Sequence, residues 1–285
     1  MTVFFTESWR LGPADTNFYV RVYEASDARA ILVFVHGAAE HCGRYTDMHT
    51  ALARDHGILV FAYDLRGYGR TAKDGTHKSP ASRRLNSNIS FFRSSLWAVH
   101  SWVAHLGGTT VLGLMTDPAR KENPAVKLVR GVVAGSATLA LTKPPPAPVV
   151  WLLTQIARVS PWTLFPVRNK TEDLSRNTTT GQEYEDDPLV GVPGSLRCLS
   201  SMIKQGELIQ RTPDNWPSAL PILFVHGDAD ALASHTATQK FYMNISADDK
   251  TWITYAGGTH ELHNEPDGIR EKSLRDIAVF IQSHC

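Results

Sequence analysis

Four short, unbroken apolar runs constrain this chain more than any other feature: Ile31-Leu-Val-Phe-Val35, Ile58-Leu-Val-Phe-Ala62, Gly131-Val-Val-Ala134 and Ile222-Leu-Phe-Val225. A strand that is apolar at every position must be covered on both faces, the condition inside a parallel sheet with helices on each side. Phe18-Tyr-Val-Arg-Val-Tyr23 instead alternates, as a strand with one exposed face does. Between the runs lie segments with helical spacing, Tyr45 to His56 with Met48 and Leu52 apolar, and Thr236 to Ile245. Strands alternating with helices predict an α/β fold with a mostly parallel central sheet flanked by helices. Sites then gather at the carboxyl ends of the strands.

The rhythm stops between residues 138 and 217. That segment has no buried-strand run, contains Pro144-Pro-Pro146 and the amphipathic stretch Val149-Val-Trp-Leu-Leu-Thr-Gln-Ile156, and closes near Asn215-Trp-Pro217. It reads as a helical cap over a core made of residues 1–137 and 218–285. Such a cap serves equally as a lid with an apolar substrate pocket or as a packed helical subdomain.

With 29 basic and 28 acidic side chains the 285-residue chain has a formal charge of +1, so nothing steers it electrostatically to nucleic acid. The three cysteines, Cys42, Cys198 and Cys285, are odd in number and unrelated in spacing, which argues against a disulfide framework. Glu7 interrupts the stretch where a secretory signal stays apolar, and no run approaches the roughly 18 apolar residues of a spanning helix, so a cytoplasmic protein is expected.

Three loops combine a buried strand with polar residues just past its end. His36-Gly-Ala-Ala-Glu-His-Cys-Gly-Arg-Tyr45 allows a sharp turn with free N–H groups, or simply packs a histidine in a strand-to-helix turn. Val225-His-Gly-Asp-Ala-Asp230 delivers two carboxylates to the sheet edge, where Asp230 can orient an imidazole or either aspartate can cap the next helix. Tyr255-Ala-Gly-Gly-Thr-His-Glu-Leu-His263 presents His260, 30 residues after Asp230. An acid at a strand end followed by a histidine is the chain order of α/β-hydrolases.

With Tyr63-Asp-Leu-Arg-Gly-Tyr-Gly-Arg-Thr71 and Glu185-Asp-Asp-Pro-Leu189, these motifs make the chain resemble an α/β-hydrolase of the monoacylglycerol lipase type, in the serine aminopeptidase-like branch, over nearly its whole length. The resemblance implies that Asp230 and His260 are the acid and base of a triad, that the Ala38 N–H is half of an oxyanion hole, and that the cap accepts lipid. It also implies hydrolysis of monoacylglycerols or related esters without a cofactor. The partners expected are a small lipid or ester substrate and, through the cap, a membrane or lipid-droplet surface.

The family's Gly-X-Ser-X-Gly nucleophile motif is missing. Laid on Gly107-Gly108 without a gap, the family's Gly-His-Ser-Met-Gly-Gly meets Val103-Ala-His-Leu-Gly-Gly108, so His105 stands in the serine's place and the Leu106 N–H becomes the second oxyanion donor. A second register makes Ser101 the nucleophile, with Trp102 N–H as donor, but places Val99 and Val103 at the glycine positions, where β-branched residues suit a strained turn poorly. That steric ground favours His105. Phe91-Phe92 also lies nearer the site than the family's helix and strand require, so residues 86–106 read as shortened. A histidine forms no stable acyl ester, which predicts weak hydrolysis or, alternatively, a non-hydrolytic protein that keeps only a ligand pocket.

Two further patterns compete. Gly67-Tyr-Gly-Arg-Thr-Ala72 matches a dinucleotide fingerprint but lacks the ribose-binding acid, and reads as a hydrolase loop. His260-Glu-Leu-His263 spaces its histidines three apart where the zincin helix needs four, so no metal is expected. Val149 to Phe165 carries a single charge, Arg158, and reads as core or as a membrane-touching face.

Overall fold

The computed structural model describes residues 5–12, 15–73, 100–101, 103–104, 106–120, 124–161, 163–165, 168–191 and 194–285. The four apolar runs are strands β3 (Ala30–Val35), β4 (Ile58–Tyr63), β7 (Val132–Gly135) and β10 (Ile222–Gly227). They are joined by β1 (Phe5–Gly12), β2 (Thr16–Tyr23), β5 (His100–Ser101), β6 (Val103–Ala104) and β11 (Lys250–Tyr255). One sheet runs β1-β2-β4-β3-β5 and the other β11-β10-β7-β6, antiparallel only at the β1/β2 and β2/β4 pairs. β5 pairs with β3 in the first sheet and β6 with β7 in the second, so these two short strands lie at the facing edges of the two sheets.

Alternate residues of one strand serve opposite faces. Val33 and Phe224 face a core with Leu112 and Phe241, whereas Leu32 and Phe34 face one with Leu52 and Leu274. The helices behind these faces are α1 (Thr46–His56), α2 (Gly69–Lys73), α3 (Leu106–Met115), α4 (Pro124–Lys127), α9 (His235–Asn244) and α10 (Ile269–Ser283). Ser234 starts α9, its hydroxyl accepting from the Ala237 N–H. The alternation in β2 predicts more exposure than is found. Phe18, Val20 and Tyr23 are fully buried and Tyr19 nearly so, because β1 covers one edge while Arg21 and Arg70 lie over the Tyr19 ring.

Between β7 and β10 the chain forms α5 (Ala147–Val159), α6 (Thr171–Leu174), α7 (Thr178–Asp186) and α8 (Leu196–Arg211), with β8 (Leu164–Phe165) pairing β9 (Gly194–Ser195). None of the described strands in this stretch joins the main sheets. α8 packs through Leu196, Cys198, Gly206 and Ile209, but α5 has no buried residue. No helix among the described residues is long and apolar enough to cross a membrane.

Near the site, α1 holds His49 fully buried in an aromatic box of Tyr23, Phe34 and Tyr45, with neither ring nitrogen bonded among the described residues. Burial, helped by the nearby His263, keeps its pKa well below the ordinary value. The unfolded chain therefore takes up a proton below about pH 6.5 that the folded chain refuses. Stability present above that pH falls by up to about 1.4 kcal/mol per unit as pH drops. In His49→Phe, which keeps the aromatic packing, the urea midpoint should fall less than in the parent protein between about pH 7.5 and 5.5. An equal fall in both would refute the assignment.

Candidate functional site

The carboxyl ends of β10 and β11 bring Asp230 and His260 together. β10 runs apolar through Val225 and then turns at Gly227, where a Cβ would fall on the Gly258 carbonyl of the loop after β11. Only glycine permits that approach, and it sets the two loops side by side. Asp230 Oδ1 accepts from the Leu232 and Ala233 N–H groups, both at 2.8 Å, while Oδ2 accepts from His260 Nδ1 at 2.7 Å and His226 Nε2 at 3.1 Å. Burial works against a charge on Asp230, yet His260 and His226 hold its carboxyl far below the usual range. For His260 burial would lower the pKa, but Asp230, backed by Glu261 and Glu40, raises it overall. Because Nδ1 donates to the carboxylate, the neutral imidazole carries its lone pair on Nε2.

The loop after β3 faces this dyad. His36 fixes its start, donating from Nδ1 to the Gly37 carbonyl and accepting at Nε2 from the Leu65 N–H. Ala39 takes a left-handed backbone, φ 59°, and its carbonyl accepts from the Gly191 N–H. Such a conformation in a non-glycine residue costs about 1–3 kcal/mol and persists where neighbours enforce it. Here those neighbours include Glu40, which accepts from the Gly37 N–H and the Tyr45 hydroxyl, both at 2.6 Å, and His41, whose Nε2 donates to Asp187 at 2.7 Å.

Arg44 joins the two loops. Its guanidinium reaches Glu40 at 2.7 Å and grips both oxygens of Glu261 at 2.6 and 2.9 Å, beneath the Tyr184 ring at 4.9 Å. All three charged side chains are under 10% exposed. They link the loop carrying Ala38 to the loop carrying His260 across 217 residues of sequence. The motifs containing them were visible in the sequence, but no spacing rule pairs residues so far apart.

Above the loops lies a cavity of about 760 Å³, within the range of small-molecule sites. Its wall is mainly apolar, with Leu139, Leu141, Val150, Trp151, Leu199 and Met202. Its polar end is formed by Ala38, Glu40, Arg44, His260 and Glu261. Ala38 and His260 thus face one space, with Asp230 behind the histidine. Ser101 lies in β5, its backbone paired with Val33, and Leu106 opens α3. His105 and Trp102 fall outside the described residues.

The competing motifs have structural employment. The glycine turn at 67–72 wraps a protein carboxylate: Asp64 accepts from the Cys42 and Arg70 N–H groups at 2.9 and 2.7 Å, and a Cβ on Gly69 would overlap it. The cradle that resembles a dinucleotide loop is filled from within the chain. Asp228 accepts from the Gly257 N–H rather than capping a helix. His263 stacks on Tyr45, ring centres 4.4 Å apart.

Arg44→Met strands two buried carboxylates and should lose about 3–5 kcal/mol in urea unfolding, part of which Glu261→Gln restores in the double variant. Additive losses would show that the two side chains are not coupled.

Comparisons with known proteins place the fold. A structure of Paleococcus ferrophilus monoacylglycerol lipase matches 94% of the chain and 99% of its own length, with a TM-score of 0.81 and 25% identity. A soluble variant of Saccharomyces cerevisiae monoglyceride lipase, solved in complex with a substrate analog, matches all of the chain with a TM-score of 0.83. At 17% identity it speaks for the fold alone. The monoglyceride lipase of Rattus norvegicus is 27% identical over 276 residues, covering 92% of this chain and 86% of that protein. The family model described as Serine aminopeptidase, S33, matches residues 26–267. With the strand order and loop placement above, that match makes the chain a member of this family, with the α/β-hydrolase fold.

Proposed function

We propose that the chain is a carboxylic-ester hydrolase for monoacylglycerol-like lipid esters, with His260 as general base, Asp230 as its orienting acid, and residues 138–217 as the cap over the substrate. The observation that carries this reading is the bonded His260–Asp230 pair at the polar end of a largely apolar cavity. An acyl chain fits the apolar wall, and an ester with a small alcohol fits the polar end. Lipid hydrolases among the relatives support that substrate class.

In the proposed reaction the neutral His260 takes a proton at Nε2 while oxygen adds to the ester carbonyl. The N–H groups of Ala38 and Leu106 stabilise the oxyanion, and the proton passes to the departing alcohol. Leu106 suits this role as the first residue of α3, where backbone N–H groups lack intrahelical partners. His105 stands in sequence between the last residue of β6 and the first of α3, whereas Ser101 lies within β5, before both. We assign the nucleophile's position to 105. With an imidazole there, His260 activates water directly and no acyl-enzyme forms. Loss of the nucleophile in such triads costs about 10⁶ in turnover, so hydrolysis is slow.

The same reading assigns the outer side of α5 to a lipid surface. Val149, Leu152, Ile156 and Val159 form an exposed stripe, Val159 being 89% exposed, and Trp151 lies beside it at the cavity wall. Replacing Leu152 and Val159 together with Glu should reduce cosedimentation with phosphatidylcholine vesicles several-fold while leaving the melting temperature near that of the parent. Unchanged cosedimentation would remove the cap from the membrane.

Hydrolysis of a short-chain ester and of a monoacylglycerol should be slow, lost in His260→Ala, and raised by orders of magnitude in His105→Ser. Because Asp230 raises the His260 pKa, the acid limb of kcat/KM should lie above the ordinary histidine value near 6.5, activity rising as the imidazole loses its proton. Turnover no greater than that of His260→Ala would leave a non-hydrolytic pocket protein. Fluorophosphonate labelling of Ser101 would move the nucleophile to that residue.

A further inference from the structure

The Asp230 carboxylate is bonded by two histidines, and the general-base reading uses only one. His226, in β10, is fully buried, and its Nε2 contacts two groups that can only accept: Asp230 Oδ2 at 3.1 Å and the Ala233 carbonyl at 3.3 Å. Nε2 must therefore carry the hydrogen. Its other nitrogen, Nδ1, is buried with no partner among the described residues, so a second proton would be a donor with nothing to bond. The contacts of His226 thus fix its hydrogen on Nε2.

We propose that His226 is a positioning residue for the general base, its Nε2–H locking the Asp230 carboxylate in the orientation from which that carboxylate holds His260. A carboxylate offers about four acceptor directions. Leu232 and Ala233 N–H take two on Oδ1, His260 takes one on Oδ2, and His226 fills the last. With all four filled the carboxylate cannot rotate away from His260. Trp252 of β11 and His235 of α9 back the His226 ring, with centroids 6.2 and 5.3 Å away. The titratable groups around it are Asp230, His260, His235 and, beyond His235, Asp228.

The donor also tempers the base. Its bond to Asp230 is strongest when His260 is neutral and the carboxylate charge is uncompensated. Removing the donor therefore disfavours neutral His260 more than the imidazolium, and the His260 pKa should rise.

This proposal rests on reading Asp230 and His260 as acid and base, and imidazole NMR titration separates the two without needing turnover. In the parent protein, long-range ¹H–¹⁵N spectra should show a hydrogen on Nε2 of His226. In His226→Phe the His260 pKa should move up by at least about half a unit, roughly threefold in its protonation ratio, and His226→Gln, whose amide can donate from the same place, should return it. A His226 found as the Nδ1–H tautomer in the parent protein overturns the proposal, whether or not any variant folds. So does a His260 titration unmoved in His226→Phe, or one that Gln fails to restore. If His260 in the parent protein titrates as an isolated imidazole, the acid and base reading itself fails, a separate result.

Discussion

A parallel sheet sends the carboxyl ends of its strands to one edge, and the loops that leave them carry polar groups that water cannot fully reach. This crowding is the constraint on which the rest of the molecule depends. Each loop must satisfy its own backbone and side chains while lying against its neighbours. The chain does so with buried carboxylates used as hubs. Asp64 collects the Cys42 and Arg70 N–H groups, Glu40 the Gly37 N–H and the Tyr45 hydroxyl, and Asp230 two N–H groups and two imidazoles.

Arg44 connects two further parts of that edge. Glu40 and Glu261 share one guanidinium, and a charged group bonded on both sides in a poorly hydrated place is costly to disturb. The loop bearing Ala38 and the loop bearing His260 are therefore held at one separation. Tyr184 over Arg44, Asp187 on His41 and Gly191 on the Ala39 carbonyl extend that hold into α7 and the chain that follows it. The walls of the cavity and its polar end consequently belong to one packed unit, although their residues come from distant parts of the sequence.

The four apolar runs were legible as strands because burial on both faces leaves no polar position to confuse the period. β11 was harder to see: Lys250-Thr-Trp-Ile-Thr-Tyr255 has one strand neighbour among the described residues and is only partly buried. β5 and β6, at the facing edges of the two sheets, are two residues each, His100–Ser101 and Val103–Ala104, too short for any period to mark them. The alternation of β2 was legible, but its near-complete burial was not, since that depends on β1 and on two arginines laid over Tyr19.

The sequence by itself determined the α/β class, four of the buried strands, Asp230 just past the end of one of them and His260 in a loop 30 residues on, because these follow from local pattern and chain order. Tertiary structure alone decided that Gly227 lets their loops touch, that Asp64 occupies its own glycine turn, that Arg44 ties Glu40 to Glu261, and that His226 shares the Asp230 carboxylate with His260. The physical reason is range. Hydrophobic period is written within a few residues, whereas a buried charge takes whatever partners the fold brings within about 3 Å, and their sequence distance is irrelevant to that bond.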